Sequence, residues 1–307
     1  MLKRMASYSK VPKEIPIFLF LAGLCTLLAL TTKAFASASN LKVLGTDAAA
    51  IGIMAVGMTM VIITGGIDLS VAAVLAFATL IGGRLIASGS ILSGFVATLV
   101  VGAACGILNG TLVTLAGIPP IIATLGTLYI LQAAATLLSG GQCIILEKNE
   151  LGFIGNGFVP LAIMLLTFAA GYIAMSLTRP GRHIYAVGGN EQATRLAGIN
   201  ARRLKLCVYT VSGVLAALAG LVMMGISSTF QANDALGYEL AVIAAVVIGG
   251  TSITGGQGSV IGTLIGVGIS TVLRNGAILV GLDARWAQAI IGAAIFLAVA
   301  VDKLRKK

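Results

Sequence analysis

Between Ile15 and Val301 the chain is a succession of apolar stretches interrupted by short polar or glycine-rich ones. A segment that crosses roughly 30 Å of hydrocarbon needs about 20 apolar residues. Inside that layer every backbone N–H and C=O must be satisfied within the protein, so an apolar run of this length is read as a helix. Ten candidates stand out: 15–32, 47–64, 69–87, 91–116, 120–138, 158–178, 206–226, a short 239–248, 260–273 and 283–301. Only 10% of residues are charged and 58% are hydrophobic, with a mean hydropathy of +1.05. Soluble domains carry roughly a quarter charged residues, so a soluble fold is excluded. The expectation is an all-α polytopic membrane protein with a single transmembrane domain over 1–307 and about ten transmembrane helices.

Charge fixes the expected orientation. The net charge of +10 would point to nucleic acid in a soluble chain, but here it reads as the positive-inside signal and attraction to anionic lipid heads. Fourteen of the twenty Lys and Arg fall in three places: the 1–14 tail, the 179–206 stretch and the 302–307 tail. With those on the cytoplasmic side, both termini are cytoplasmic and ten segments close the count. Ala36-Ser37-Ala38 after the first apolar run also resembles a signal-peptide cleavage site. A retained first span is preferred because it keeps both termini inside.

Stretch 239–248 is about 15 Å of helix, half a membrane, and it runs into GGTSITGGQGS. Irregular backbone at depth is tolerated only where it is buried in protein or lines a water-filled cavity. A hairpin, re-entrant or built of two short spans, is therefore expected there, at mid-membrane or at the inner surface. Thr251, Ser252, Thr254, Gln257 and Ser259 offer hydroxyls and an amide suited to a neutral polyol. Asp68 and Ser70, in GGIDLS, are candidates for the same pathway. The plainer reading makes this stretch a tight inner turn in which Asp68 caps the next helix. Val61–Ala76 and Val246–Gly266 echo each other: apolar helix, paired glycines, polar stretch, then Ser-Val and helix. Transporters often contain such repeats. Glycines also recur every four residues at Gly102, Gly106 and Gly110, and at Gly258, Gly262 and Gly266. Such smooth stripes let helices approach closely. Polar residues inside spans, Asn109 and Gln132, are expected to bond a neighbouring helix.

The most basic stretch, Arg179–Leu206, holds a short helix from Glu191 to Ala197. Asn190 stands at its N-cap, Glu191 in its first turn and Gly198 at its end. Seven residues cannot hold a helix in water alone, so the rest of the protein or a partner must pack on it.

Catalytic patterns are missing from the sequence. It has no G-x-x-x-x-G-K-[ST], H-E-x-x-H or G-x-S-x-G, so no catalytic residues are assigned. Cys25, Cys105, Cys143 and Cys207 form no C-x-x-C pair, and His183 has no ligand cluster, so no metal site is expected. Acids within spans are few, which disfavours the alternative of an ion-gradient-driven secondary transporter.

Four segments carry a family resemblance: Ala55–Val71, Gly181–Asn200, Gly237–Gly266 and Val301–Lys303. They resemble the ribose-type permease subunits of bacterial ATP-binding-cassette sugar importers. The resemblance implies a multi-pass inner-membrane permease that moves a pentose-like or related polyol. It also implies ATPase subunits carrying ATP and magnesium, an extracytoplasmic sugar-binding protein, a second permease copy, and no cofactor or nucleic acid on this chain. Gly188, Gly189, Asn190, Glu191, Ala193, Arg195, Leu196, Gly198 and Ile199 would then form the ATPase-coupling segment.

Overall fold

The computed structural model describes residues 14–282 and, beyond them, 286, 289, 292 and 293. Apart from those four positions, the last expected span, 283–301, lies outside the described residues, as do residues 1–13 and 302–307. The helices are α1 (Glu14–Thr31), α2 (Ala38–Ile63), α3 (Val71–Ala87), α4 (Ile91–Thr114), α5 (Pro120–Ser139), a single turn α6 (Gly152–Gly155), α7 (Val159–Tyr172), α8 (Arg179–Gly189), α9 (Glu191–Leu196), α10 (Ala201–Ser227), α11 (Tyr238–Ile248) and α12 (Val260–Leu279). A π-helical turn, Ile173–Leu177, prolongs α7. Among the described residues seven helices are long and apolar enough to cross a membrane, and α3 and α11 are shorter apolar ones. The protein is thus an all-α polytopic membrane protein.

α2 is the axis of the bundle. It starts at Ala38, nine residues before the expected span, because Ser37 caps it by accepting from the Asn40 N–H at 3.2 Å. Small and β-branched residues surround it, and from Ala48 to Ile63 every residue is buried; a helix apolar on all sides belongs in a core. Around it stand α7, α10, α11 and α12. α1 packs on α12 and otherwise leaves Phe18, Leu19, Phe20, Leu27 and Leu30 exposed, as suits a helix in lipid.

Glycines set the closest approaches. A Cβ on Gly102 would lie 2.5 Å from the Gly213 carbonyl oxygen, on Gly106 2.8 Å from Thr210 Cα, and on Gly110 2.8 Å from Leu206 Cδ1. This stripe therefore seats α4 antiparallel on α10. In the second stripe Gly262 and Gly266 seat α12 on the end of α11, a Cβ on Gly266 lying 2.8 Å from the Gly249 nitrogen. Gly258 precedes α12, against Thr251.

The 179–206 stretch is not a loop around one short helix. Thr178 caps α8 by accepting from the Gly181 N–H, Pro180 sits in its first turn, and the helix runs eleven residues. Asn200 likewise caps α10, which begins at Ala201 instead of the expected Leu206 and reaches Ser227. α12 runs to Leu279 instead of Leu273, its polar Asn275 paired with Asn40 of α2 through two amide hydrogen bonds of 2.8 and 3.1 Å. At the end of the bundle away from the 179–206 stretch, strands β1 (Ile144–Ile145) and β2 (Thr229–Phe230) pair antiparallel and tie two loops together.

Candidate functional site: a glycine junction beside a short capped helix

Two helices end in the same way at one level of the fold. After α2, the Gly65 N–H bonds the Ile62 carbonyl at 2.9 Å and the Gly66 N–H bonds Val61 at 3.1 Å. After α11, the Gly250 N–H bonds Val247 at 2.9 Å and the Thr251 N–H bonds Val246 at 3.2 Å. Gly65 and Gly250 take φ of +81° and +89°. Both are Schellman ends, which require a left-handed residue and so favour glycine. Each break then leads through a serine, Ser70 or Ser259, into the next helix.

The breaks meet, and α8 ends between them. The Gly256 N–H donates to the Ile63 carbonyl at 2.9 Å. A Cβ on Gly255 would stand 3.0 Å from Gly65 Cα, one on Gly256 2.8 Å from Gly189 Cα, and one on Gly188 2.6 Å from the Gly256 nitrogen, against the Ile63 oxygen. Tyr185 of α8 donates its hydroxyl to the Gly258 carbonyl at 3.0 Å. The backbone of the basic stretch thus touches both breaks directly.

α9 hangs from this junction. The Asn190 side chain accepts from the Ala193 N–H at 2.9 Å, while Gly198, at φ +83°, closes the other end. That end is also a Schellman pattern, with the Ile199 N–H on the Thr194 carbonyl at 3.2 Å. Glu191 bridges Arg195 on its own helix and Lys205 of α10, the latter at 2.7 Å. Burial pushes the Glu191 carboxyl upward, but its two cations outweigh that and hold it below the usual carboxylate range. The chain itself therefore orders a six-residue helix that propensity alone would not. Thr194 is buried beneath it, while Leu196 is 90% exposed.

The pathway candidates fall into two groups. Asp68, 1% exposed, lies two residues before Ser70, and Ser70 occupies the N-cap position. One Asp68 oxygen accepts from the Ser70 N–H at 3.0 Å and from its hydroxyl at 2.6 Å; the other accepts from Ser212 at 3.3 Å. Asn109 donates to the Ser70 oxygen at 2.7 Å. Asp68 is thus a buried node joining the turn to α4 and α10, rather than the cap residue. In the second break, Ser252 bonds Gln257 through the backbone (2.9 Å) and Thr254 through hydroxyls (3.0 Å), and Ser259 caps α12 by accepting from Gly262 at 3.2 Å. Thr251 is buried with its hydroxyl unpartnered. Sequence reasoning missed Tyr185 and Ser212; their period on α8 and α10, which points them inward, was the available signal. Among the described residues no group of three His, Cys, Asp or Glu could hold a metal ion.

Residues 41–299 match the family described as branched-chain amino acid transport system / permease component. The ribose import permease protein RbsC of Escherichia coli K12 is 40% identical over 264 residues, covering 83% of this chain and 82% of that one. Its Bacillus subtilis counterpart is 35% identical over 304 residues, covering 96% and 94%. The fructose import permease protein FrcC of Rhizobium meliloti is 33% identical over 315 residues, covering 96% and 86%. No solved structure matches the chain. Its apolar helices, and a match covering most of its length, make it a multi-pass inner-membrane protein that belongs to this transport-system permease family, in the ribose-type branch of sugar import permeases.

Proposed function

We propose that this chain is the membrane-spanning, non-catalytic subunit of an ATP-driven importer of a pentose-like or related polyol in the bacterial inner membrane. ATP and magnesium are bound by separate ATPase subunits, an extracytoplasmic binding protein delivers the sugar, and a second permease copy completes the core. Ten transmembrane helices place both termini in the cytoplasm. The observation that carries the reading is Leu196: an almost fully exposed leucine on a helix whose two ends are capped and whose base is pinned by Glu191 to Lys205. A rigid, uncovered apolar tip among arginines fits a cleft on a partner protein. Force applied there reaches Gly188 and Gly189 within one turn of α8, and from them both breaks.

The reading predicts that Leu196→Asp frees the ATPase without harming the permease. Membrane content of the variant should match the unaltered protein, while co-purified ATPase and energy-dependent uptake of radiolabelled D-ribose or D-fructose fall at least tenfold. Full ATPase recovery with unchanged uptake would remove α9 from the coupling path.

A further inference from the structure

α8 meets the second break in two different ways. At its end the contact is bare backbone: a Cβ on Gly188 would meet the Gly256 nitrogen, and one on Gly256 would meet Gly189 Cα. Three residues before Gly188, on the same face of the helix, Tyr185 donates its hydroxyl to the Gly258 carbonyl at 3.0 Å. The two contacts differ mechanically. Atoms in van der Waals contact resist compression steeply but hold each other only weakly against separation. Among the described residues no backbone hydrogen bond joins α8 to residues 249–259. The glycine contacts alone would therefore let α8 push the break without drawing it back. A hydrogen bond is directional and resists separation, and more strongly inside a protein than in water.

Donor and acceptor are both held in place. The Tyr185 ring is half-buried and packs on the hydrophobic core, which fixes where its hydroxyl points. Burial, and after it the Glu14 carboxylate, push the phenol above its usual range, so it keeps its proton and donates at neutral pH. On the acceptor side, a Cβ on Gly258 would lie 2.7 Å from the Thr251 side chain and 3.0 Å from Ile63 Cγ1, so the chain is confined there. The next residue, Ser259, caps α12: its side chain accepts from the Gly262 N–H at 3.2 Å and its carbonyl from the Thr263 N–H at 2.9 Å. Thr263 in turn shares a hydrogen bond of 2.7 Å with Thr59 of α2. α12 also packs on α1, α7 and α11. A displacement of Gly258 is thus delivered to the start of a helix that four others touch.

We infer that Tyr185 is a positioning residue for transport: its hydroxyl on the Gly258 carbonyl is the tie by which α8 draws the start of α12 with it, while Gly188 and Gly189 supply the push. Switching between two packed arrangements and back requires the two elements to move together in both directions. The inference rests on the import reading above and adds the bond that carries motion from α8 into α12.

Tyr185→Phe removes the hydroxyl and keeps the ring. In the full transporter, reconstituted with its ATPase and binding protein, this variant should retain at least half of the parent's ATP hydrolysis, while radiolabelled D-ribose or D-fructose imported per ATP falls at least fivefold. Para-aminophenylalanine at position 185 still carries an N–H donor and should recover most of that ratio. O-Methyltyrosine has the oxygen but no donor and should not. A ratio in Tyr185→Phe within twofold of the parent, or equal ratios for the amino and methoxy rings, would overturn the proposal. A mere loss of packing would lower hydrolysis and import together and leave the ratio intact. Hydrogen exchange of the Gly262 and Thr263 amides, both bonded to Ser259, should also be several-fold faster in Tyr185→Phe than in the parent. Unchanged exchange would overturn the tie, and this measurement needs neither sugar nor ATPase. A parent complex that imports neither D-ribose nor D-fructose would instead count against the import reading, and the exchange result would then decide the tie alone.

Discussion

The breaks after α2 and after α11 share a backbone and differ in everything that holds it. Both end a helix with the same pair of hydrogen bonds around a left-handed glycine, and both restart through a serine. The first is clamped by side chains from three other helices: Asn109 of α4, Thr124 of α5 and Ser212 of α10. The second carries bonds within itself, between Ser252 and Gln257, between Ser252 and Thr254, and from Gly262 to Ser259. It meets the first break and α8 through glycine backbone, apart from the Tyr185 hydroxyl on Gly258. One local code is therefore embedded in two ways: side chains of three helices hold the first break, and close glycine backbone contacts join the second to it and to α8.

The largest expected effect comes from filling the contact between them. A side chain on Gly188 must displace the Ile63 carbonyl or the second break, and overpacking of this kind costs about 1–3 kcal/mol. Gly188→Val should reduce uptake at least tenfold while the chain still inserts. Gly189→Ala is the control, because a Cβ there meets nothing within 4 Å; it should transport normally. Equal losses at 188 and 189 would mean that the stretch responds to any substitution and that the junction has no special role.

A second, smaller contrast separates the two serines. Ser259 is an ordinary cap, so Ser259→Ala should cost about 1 kcal/mol and Ser259→Gly only a few tenths. Ser70 makes no capping bond of its own; it donates to Asp68 and accepts from Asn109. Removing its hydroxyl leaves buried partners unsatisfied, at about 1–3 kcal/mol each, and glycine cannot restore it. Thermal unfolding of the purified protein should therefore rank Ser70→Gly with Ser70→Ala, but Ser259→Gly well above Ser259→Ala. Rescue of position 70 by glycine would dissolve the distinction between the two serines.

The echo between Val61–Ala76 and Val246–Gly266 was legible because a Schellman end is written in adjacent residues: an apolar last turn, then a glycine at the left-handed position. The cap at Asn190 and the glycine stripes were legible for the same reason, whereas the cap at Asn200 was not, since the span was expected to begin at Leu206. The partners of Asp68 were not legible either. Ser212 lies 144 residues away, and nothing local distinguishes an aspartate that caps a helix from one buried by two others. The start of α2 was misplaced because Asn40, Lys42 and Thr46 lower the hydropathy of a segment that is helical throughout; Asn40 is satisfied by Asn275, a pairing invisible to periodicity. Gln132 reads like Asn109 in sequence, yet among the described residues only the Asn109 side chain makes the expected bond, to Ser70.

The smallest effect concerns α9, the short helix that follows α8 at the junction of the two breaks. Its anchor to α10 is Glu191 on Lys205, reinforced by Arg195. The carboxyl is held below its ordinary range in the folded protein, so the anchor contributes fully above the unfolded carboxylate pKa, about 4.3. It is lost as pH falls through the lower, folded value. At neutral pH the pairs are intact, and because Glu191 is a third exposed their contribution is that of a surface pair, about 0.2–1 kcal/mol. Glu191→Gln removes the charge at every pH. Hydrogen exchange of the Ala193–Ala197 amides should accordingly be modestly faster in the variant at pH 7, and the difference from the parent should shrink as pH is lowered below 4. If the two proteins instead differ equally at pH 7 and at low pH, the helix is held by its caps and by buried Thr194 alone. Motion at α9 would then pass to the second break through Gly188 without any contribution from α10.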